Sequence, residues 1–109
     1  MSKRPRTDSI GPAALVQYTL RLYVAGSTPQ SSRAITNLKA ICEKYLPARY
    51  TLTVVDLYAQ PERAREDQIV VAPTLIRQSP PPMRRVVGDM SNTTRVLAAL
   101  DLLALAPLL

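Results

Sequence analysis

From Val16 to Val24 apolar and polar residues alternate along the chain. Val16, Tyr18, Leu20, Leu22 and Val24 fall on one side at a period of two, and Gln17, Thr19 and Arg21 on the other. This pattern predicts a strand with one face in the core. Ala25-Gly26-Ser27 reads as a turn. Thr28 then offers a hydroxyl to cap a helix whose first position is Pro29, a site that needs no backbone donor. From Gln30 the period lengthens to that of a helix. Ala34, Ile35, Leu38, Ile41, Cys42 and Tyr45 make an apolar stripe, with Arg33, Asn37, Lys39, Glu43 and Lys44 mostly outside it. Pro47 stops the helix near Leu46. Tyr50, Leu52 and Val54 then alternate with Thr51 and Thr53, and Val55-Asp56-Leu57 extends the stretch. Strand, helix and strand in this order predict a βαβ unit with parallel strands and a right-handed crossover.

The second half mixes its signals. Pro61 opens a short polar segment, Glu62 to Gln68, long enough for one or two helical turns. Ile69-Val70-Val71 reads as strand by propensity, and Thr74-Leu75-Ile76 as another. Pro80-Pro81-Pro82 imposes an extended connection without backbone donors. Met83 to Val87 reads as a further strand ending at Gly88-Asp89. Asp89 or Ser91 is then expected to cap a last helix whose stripe is Val96, Leu97, Leu100, Leu103 and Ala104. Leu102, Leu105, Leu108 and Leu109 broaden that apolar surface, which favours core packing or burial in an oligomer.

Composition narrows the chemistry. The 109 residues suit a single domain over 16–109, preceded by a basic extension over 1–15 that is expected to be flexible. Ten prolines against three glycines favour rigid connections. Histidine is absent, which removes histidine triads and histidine metal sites, and the lone Cys42 cannot form a CxxC pair or an internal disulfide. The formal charge is +6, and Lys3, Arg4 and Arg6 against Asp8 account for +2 of it. The basic residues are scattered, so an acidic protein surface is a better fit than nucleic acid. No apolar run is long enough to span a bilayer, and a cytoplasmic location without membrane contact is expected.

Each candidate residue has a plain structural role beside the chemical one. Cys42 sits on the apolar stripe and reads as a packed, inert thiol. Glu62, Glu66 and Asp67 cluster near the short helix with no histidine or phosphate loop beside them, and read as a solvated face. Asp56 ends a strand and reads as a local cap or ion-pair partner, and Gly26 and Gly88 as single turn glycines. Arg84 and Arg85 follow a rigid connector and can reach two different surfaces, so they are candidate protein contacts. Lys39, Lys44 and Arg49 are a second candidate basic patch near the end of the first helix.

The element order is similar to that of thioredoxin-like domains: a βαβ start, a short helix, two strands and a C-terminal helix. Ala72-Pro73-Thr74-Leu75 looks like that fold's cis-proline loop, yet Gly26-Ser27-Thr28-Pro29-Gln30-Ser31 carries no cysteine where the redox chemistry needs one. More closely, the chain resembles the KaiB family of circadian clock proteins. The matching residues are Leu22-Tyr23-Val24-Ala25-Gly26, Thr28-Pro29, Ser32-Arg33-Ala34, Leu38, Tyr50, Leu52, Val54 and Asp56. They continue with Pro61, Glu66-Asp67, Ile69, Ala72-Pro73-Thr74-Leu75, Pro80-Pro81-Pro82, Arg84-Arg85, Gly88-Asp89 and Ser91-Asn92.

The resemblance implies a non-enzymatic regulator without cofactors that binds the ring ATPase KaiC. Further partners implied are KaiA or a sensor kinase, where the host has them, and further copies of itself as a dimer or tetramer. It also implies two folds: thioredoxin-like, and a ground-state alternative with a rearranged C-terminal half. Pro73, Pro80, Pro81, Pro82, Gly88 and Asp89 lie in the stretch that would switch, and proline isomerisation would slow it. Three departures set this chain apart: a longer start before Tyr18, an apolar Leu105-Ala106-Pro107-Leu108-Leu109, and Gln60 where an asparagine cap is common. A divergent member linked to stress adaptation, or a general adaptor without a KaiC partner, is the alternative expectation.

Overall fold

The computed structural model describes residues 16–102. Its elements are β1 (Tyr18–Val24), α1 (Pro29–Tyr45), β2 (Tyr50–Asp56), α2 (Pro61–Glu66), β3 (Thr74–Ser79), β4 (Arg84–Val87) and α3 (Thr93–Ala99). The four strands form one sheet in the order β2-β1-β3-β4. β1 runs parallel to β2, with Leu20 opposite Leu52 and Leu22 opposite Val54. It runs antiparallel to β3, and β3 and β4 pair as an antiparallel hairpin across the proline connection. This is the expected thioredoxin-like α/β arrangement.

The main core lies on one face of the sheet. Tyr18, Leu20, Leu22 and Val24 of β1 meet Ala34, Leu38, Ile41 and Cys42 of α1 and Val96, Leu97 and Ala99 of α3. The opposite face carries a smaller cluster, Tyr23, Val55, Ala64 and Ile76, closed by α2. β1 therefore buries residues in both directions, and Tyr23 is as fully buried as its neighbours Leu20 and Leu22. The period-two reading placed the inner face of β1 correctly and missed that its outer face is half covered.

Local chemistry fixes the ends. The Thr28 side chain accepts from the Ser31 amide (3.2 Å), and Ser31 Oγ in turn accepts from the Ala25 amide (3.1 Å) and from the Thr28 hydroxyl (2.9 Å). At the end of β2, Asp56 Oδ1 accepts from the Gly26 amide (3.2 Å) and the Tyr58 amide (2.9 Å), the local capping role expected of it. Gly26 has φ +62°, a left-handed conformation that favours glycine. Gln60 makes no side-chain cap for α2, as its identity suggested.

Several expectations change. β1 begins at Tyr18, not Val16. Ile69-Val70-Val71 forms no strand: Val70 is 94% exposed, and the chain is turning towards the cis Ala72–Pro73 bond that precedes β3. In β2, Val54, which alternates with Thr51 and Thr53 in the sequence, is exposed, and Val55 is buried in the smaller cluster. α3 is capped by Asn92, whose side chain accepts from the Arg95 amide (3.1 Å), not by Asp89 or Ser91. The Ser91 hydroxyl and, after it, the Ser91 amide (3.0 Å to Asp89 Oδ1) hold the Asp89 carboxyl below its usual range. α3 ends at Ala99, and Leu103, Ala104, Leu105, Leu108 and Leu109 lie outside the described residues, as does the extension over 1–15.

A buried charge ties the ends of the sheet together. Arg77 of β3 has no exposed surface, yet its Nη1 donates to Asp101 Oδ2 (2.8 Å) just beyond α3, and its Nη2 to the Pro82 carbonyl (2.8 Å). Beside it the Tyr18 hydroxyl donates to the Leu100 carbonyl (2.8 Å). One guanidinium thus pins β3, the proline connection and the end of α3. Replacing Arg77 by Ala leaves a cavity and an unpaired carbonyl, and is expected to cost about 3 kcal/mol in denaturant unfolding. Arg77→Met, which keeps the volume, is expected to cost clearly less.

The same pair has a pH signature. The bond from Arg77 holds the Asp101 carboxyl below its ordinary value of 3.8. The stabilisation is therefore complete above that value and is lost as pH falls through the lower folded value. Urea midpoints are expected to drop on acidification below about pH 4, and Asp101→Asn is expected to flatten that part of the profile.

Candidate functional site

In a thioredoxin-like fold the reactive position is the N-terminus of the first helix. Here Thr28 and Ser31 occupy it, and both side chains are engaged in capping α1 and closing the preceding turn. No thiol is near. Cys42 lies in the last turn of α1 with no exposed surface, and burial, with a smaller contribution from Glu43, pushes its thiol up to about 12.

The carboxylates are equally committed to structure. Glu62 and Glu66 are exposed on α2, whereas Asp67 faces inward. Its Oδ2 accepts from Arg21 Nη1 at 2.8 Å and from the Tyr23 hydroxyl at 2.6 Å. The Asp67 part of the expected solvated acidic face is thus corrected: two β1 side chains turn it into a clasp. Among the described residues no group of three or more His, Cys, Asp or Glu side chains gathers in metal-binding proximity.

The remaining candidate residues are surface cations. Lys39 and Lys44 are both exposed on α1, but a five-residue separation sets them about 140° apart around the axis, on different faces. Lys44 lies over the Tyr45 ring at 5.3 Å, beside a shallow groove lined by Ala40, Ile41, Lys44, Tyr45 and Thr93. Arg49 bends back so that Nη2 donates to the Tyr45 carbonyl (3.4 Å). Lys44 and Arg49 thus share the end of α1, and Lys39 stands apart.

Arg84 and Arg85 alternate across β4. Val86 belongs to the main core, so Arg84 shares the α1 and α3 side and Arg85 the α2 side. Arg85 Nη2 donates to the Asp67 carbonyl (2.6 Å) and Nη1 approaches the Gln68 carbonyl (3.5 Å), which fixes the turn after α2. Pro73 accepts from the Gly88 amide through its carbonyl (3.0 Å), joining the two ends of the proposed switch stretch. Pro80, Pro81 and Pro82 form the β3–β4 connection.

Two features of this surface went unread in the sequence. β2 is an edge strand whose outer backbone groups lack a strand partner among the described residues, and its Thr51, Thr53 and Val54 are exposed. Its place at the edge depends on the β1–β3 pairing, a long-range contact that no local pattern announces. Of the clasp residues, Arg21 was legible only as a polar-face position of a strand, and Tyr23 only as part of the family resemblance.

Comparison with known proteins follows this geometry. The family model described as KaiB domain matches residues 21–102. Circadian clock protein KaiB3 of Synechocystis sp. is 48% identical over 83 residues, covering 76% of this chain and 81% of that protein. Circadian clock oscillator protein KaiB of Prochlorococcus marinus is 50% identical over 91 residues, 84% of each chain. Among solved structures, the N-terminal domain of Synechococcus elongatus SasA superposes with a TM-score of 0.69 at 18% identity, covering 100% of this chain and 98% of that one. Oxidised mitochondrial thioredoxin 3 of Saccharomyces cerevisiae gives 0.65 at 14% identity over 87% and 88%. At such identities the structural matches speak to the fold alone.

The thiol provides a direct check of this site. Native Cys42 is expected to resist a disulfide exchange reagent at pH 8 for hours and to react stoichiometrically once the protein is unfolded. Rapid labelling of the folded chain would overturn the packed placement.

Proposed function

This chain belongs to the KaiB family of circadian clock proteins, and on that premise we propose that it is a non-enzymatic regulator that binds a KaiC-type ring ATPase. The observation that carries the reading is the pairing of family membership with a thioredoxin-like scaffold whose reactive position holds only capping hydroxyls. Such a scaffold offers surface, not chemistry. The contact region proposed is α1 with the edge strand β2, flanked by Lys39, Lys44 and Arg49. Edge strands accept extended segments through backbone hydrogen bonds, and nearby cations favour an acidic partner surface.

Arg84 joins the proposed contact set from β4, and Arg85 contributes by holding the turn after α2. The arrangement described is the binding form. In the alternative form the chain beyond Gln60 repacks and the protein assembles with copies of itself, Pro73, the proline connection and Gly88-Asp89 lying in the part that changes. KaiA or a sensor kinase with a similar N-terminal domain fits the same logic as a further partner or competitor. The basic residues over 1–15 are an appendage to the single domain in this reading. Among the described residues no helix is long and apolar enough to cross a membrane.

The test is light scattering after size exclusion, with the full chain alone and mixed with its cognate KaiC and ATP. A complex that accumulates slowly while free oligomer declines is the expected result. Lys39→Glu with Lys44→Glu is expected to weaken it about tenfold with the fold unchanged by circular dichroism. No complex after many hours with an assembled KaiC ring would sink the proposal and leave a divergent adaptor as the better account.

A further inference from the structure

The six-residue α2 is too short to persist as a helix in isolation, and its start has no side-chain cap. What holds it on the sheet is separate from the main core. The cluster beneath it contains Tyr23, Val55, Ala64 and Ile76, with Leu57 and Ile69 at the margin, and none of these residues belongs to the cluster under α1 and α3.

The segment is pinned at two points. At its start, Asp56 takes the Gly26 and Tyr58 amides, and the Leu57 amide donates to the Val24 carbonyl (2.9 Å). At its end, the Thr74 hydroxyl donates to the Val71 carbonyl (2.6 Å), and the Gly88 amide to Pro73. Between the pins little side-chain burial is found at the margins: Tyr58 is 77% and Val70 94% exposed, and Gln68 takes the left-handed φ of 57° at the exit of α2.

The polar ties to this segment converge on Asp67. Its carboxylate takes the Arg21 guanidinium and the Tyr23 hydroxyl, and that hydroxyl also lies 2.9 Å from the Arg63 carbonyl. Its backbone carbonyl takes Arg85 from β4. Gln78, with its amide oxygen turned to Arg21, would accept from Nη1 (3.3 Å) and Nη2 (3.1 Å), so Arg21 keeps a partner on the sheet when Asp67 leaves. That alternative makes release of Asp67 less costly than stripping a half-buried cation bare.

We propose that residues 58–70 form a cover over the second face of the sheet, latched by Asp67, that opens between its two pins while the four strands stay paired. Opening uncovers Tyr23, Val55 and Ile76, an apolar surface that the closed form hides. This differs from a rearrangement of the whole second half, because β3 and β4 keep their partners throughout.

Native-state hydrogen exchange on the full chain separates the two. The Asp67, Gln68 and Ile69 amides, bonded to the Arg63, Arg65 and Ala64 carbonyls, report on the cover, and the Ile76 and Val86 amides report on the strands. In Asp67→Asn the Gln68 and Ile69 amides are expected to exchange on the order of tenfold faster, with strand amides unchanged. Tyr23→Phe, a gentler change, is expected to give the same pattern. The double variant should be no faster than the faster single, because both remove one latch. Acceleration of strand and cover amides together would overturn the proposal in favour of a larger cooperative unit. No acceleration in either variant would overturn the latch itself.

Discussion

Everything in this domain depends on β1 having to bury both of its faces. It is an inner strand, parallel to one neighbour and antiparallel to the other, so its backbone is satisfied from both sides. Its even-numbered residues anchor the two long-range helix contacts, and Tyr23 with Arg21 anchors everything on the reverse. The two faces are not equal. Among the described residues one rests on sixteen buried residues and the other on four, reinforced by polar bonds. This asymmetry separates a rigid platform from a cover whose attachment depends strongly on geometry.

The helix start at Thr28 shows how a scaffold shared with oxidoreductases can lose their chemistry without losing their shape. The Thr28 hydroxyl takes the Ser31 amide, one of the helix-start donors that would otherwise favour a thiolate, and Ser31 Oγ takes the Ala25 amide of the turn. The turn is then a structural joint, and the proposed function places recognition on the helix flank and the open strand edge instead. Family membership and the absence of a reactive group at this joint therefore support the same reading from independent directions.

Much of this was legible in the chain. β1, α1 and β2 follow from alternation, from the helical stripe and from Thr28-Pro29, because each signal is local and repeated. The failures come from contacts that a local pattern does not announce. Ile69-Val70-Val71 has strand propensity but pairs with no strand among the described residues. Asn92 caps α3 because Asp89 is already occupied with Ser91 and with Arg33. Arg77 shares the inward side of β3 with Leu75, and period two would have placed it there; a charged residue in the core becomes reasonable only once Asp101 and Pro82 are seen beside it. Of the candidate contact residues, Arg85 was legible as a reaching side chain, but its target, a carbonyl after α2, required the folded hairpin.

The placement of the basic residues limits what kind of partner electrostatics can capture. Lys39, Arg65, Arg84 and Arg95 are exposed on four different elements, α1, α2, β4 and α3. A phosphodiester backbone follows a line, and its affinity comes from many cations displacing condensed counterions together. Lys39, Arg84 and Arg95 belong to the α1 and α3 side of the sheet and Arg65 to the α2 side, each on a separate element and not along one line. A partner with its own matching relief suits such a distribution better than a uniform line of phosphates.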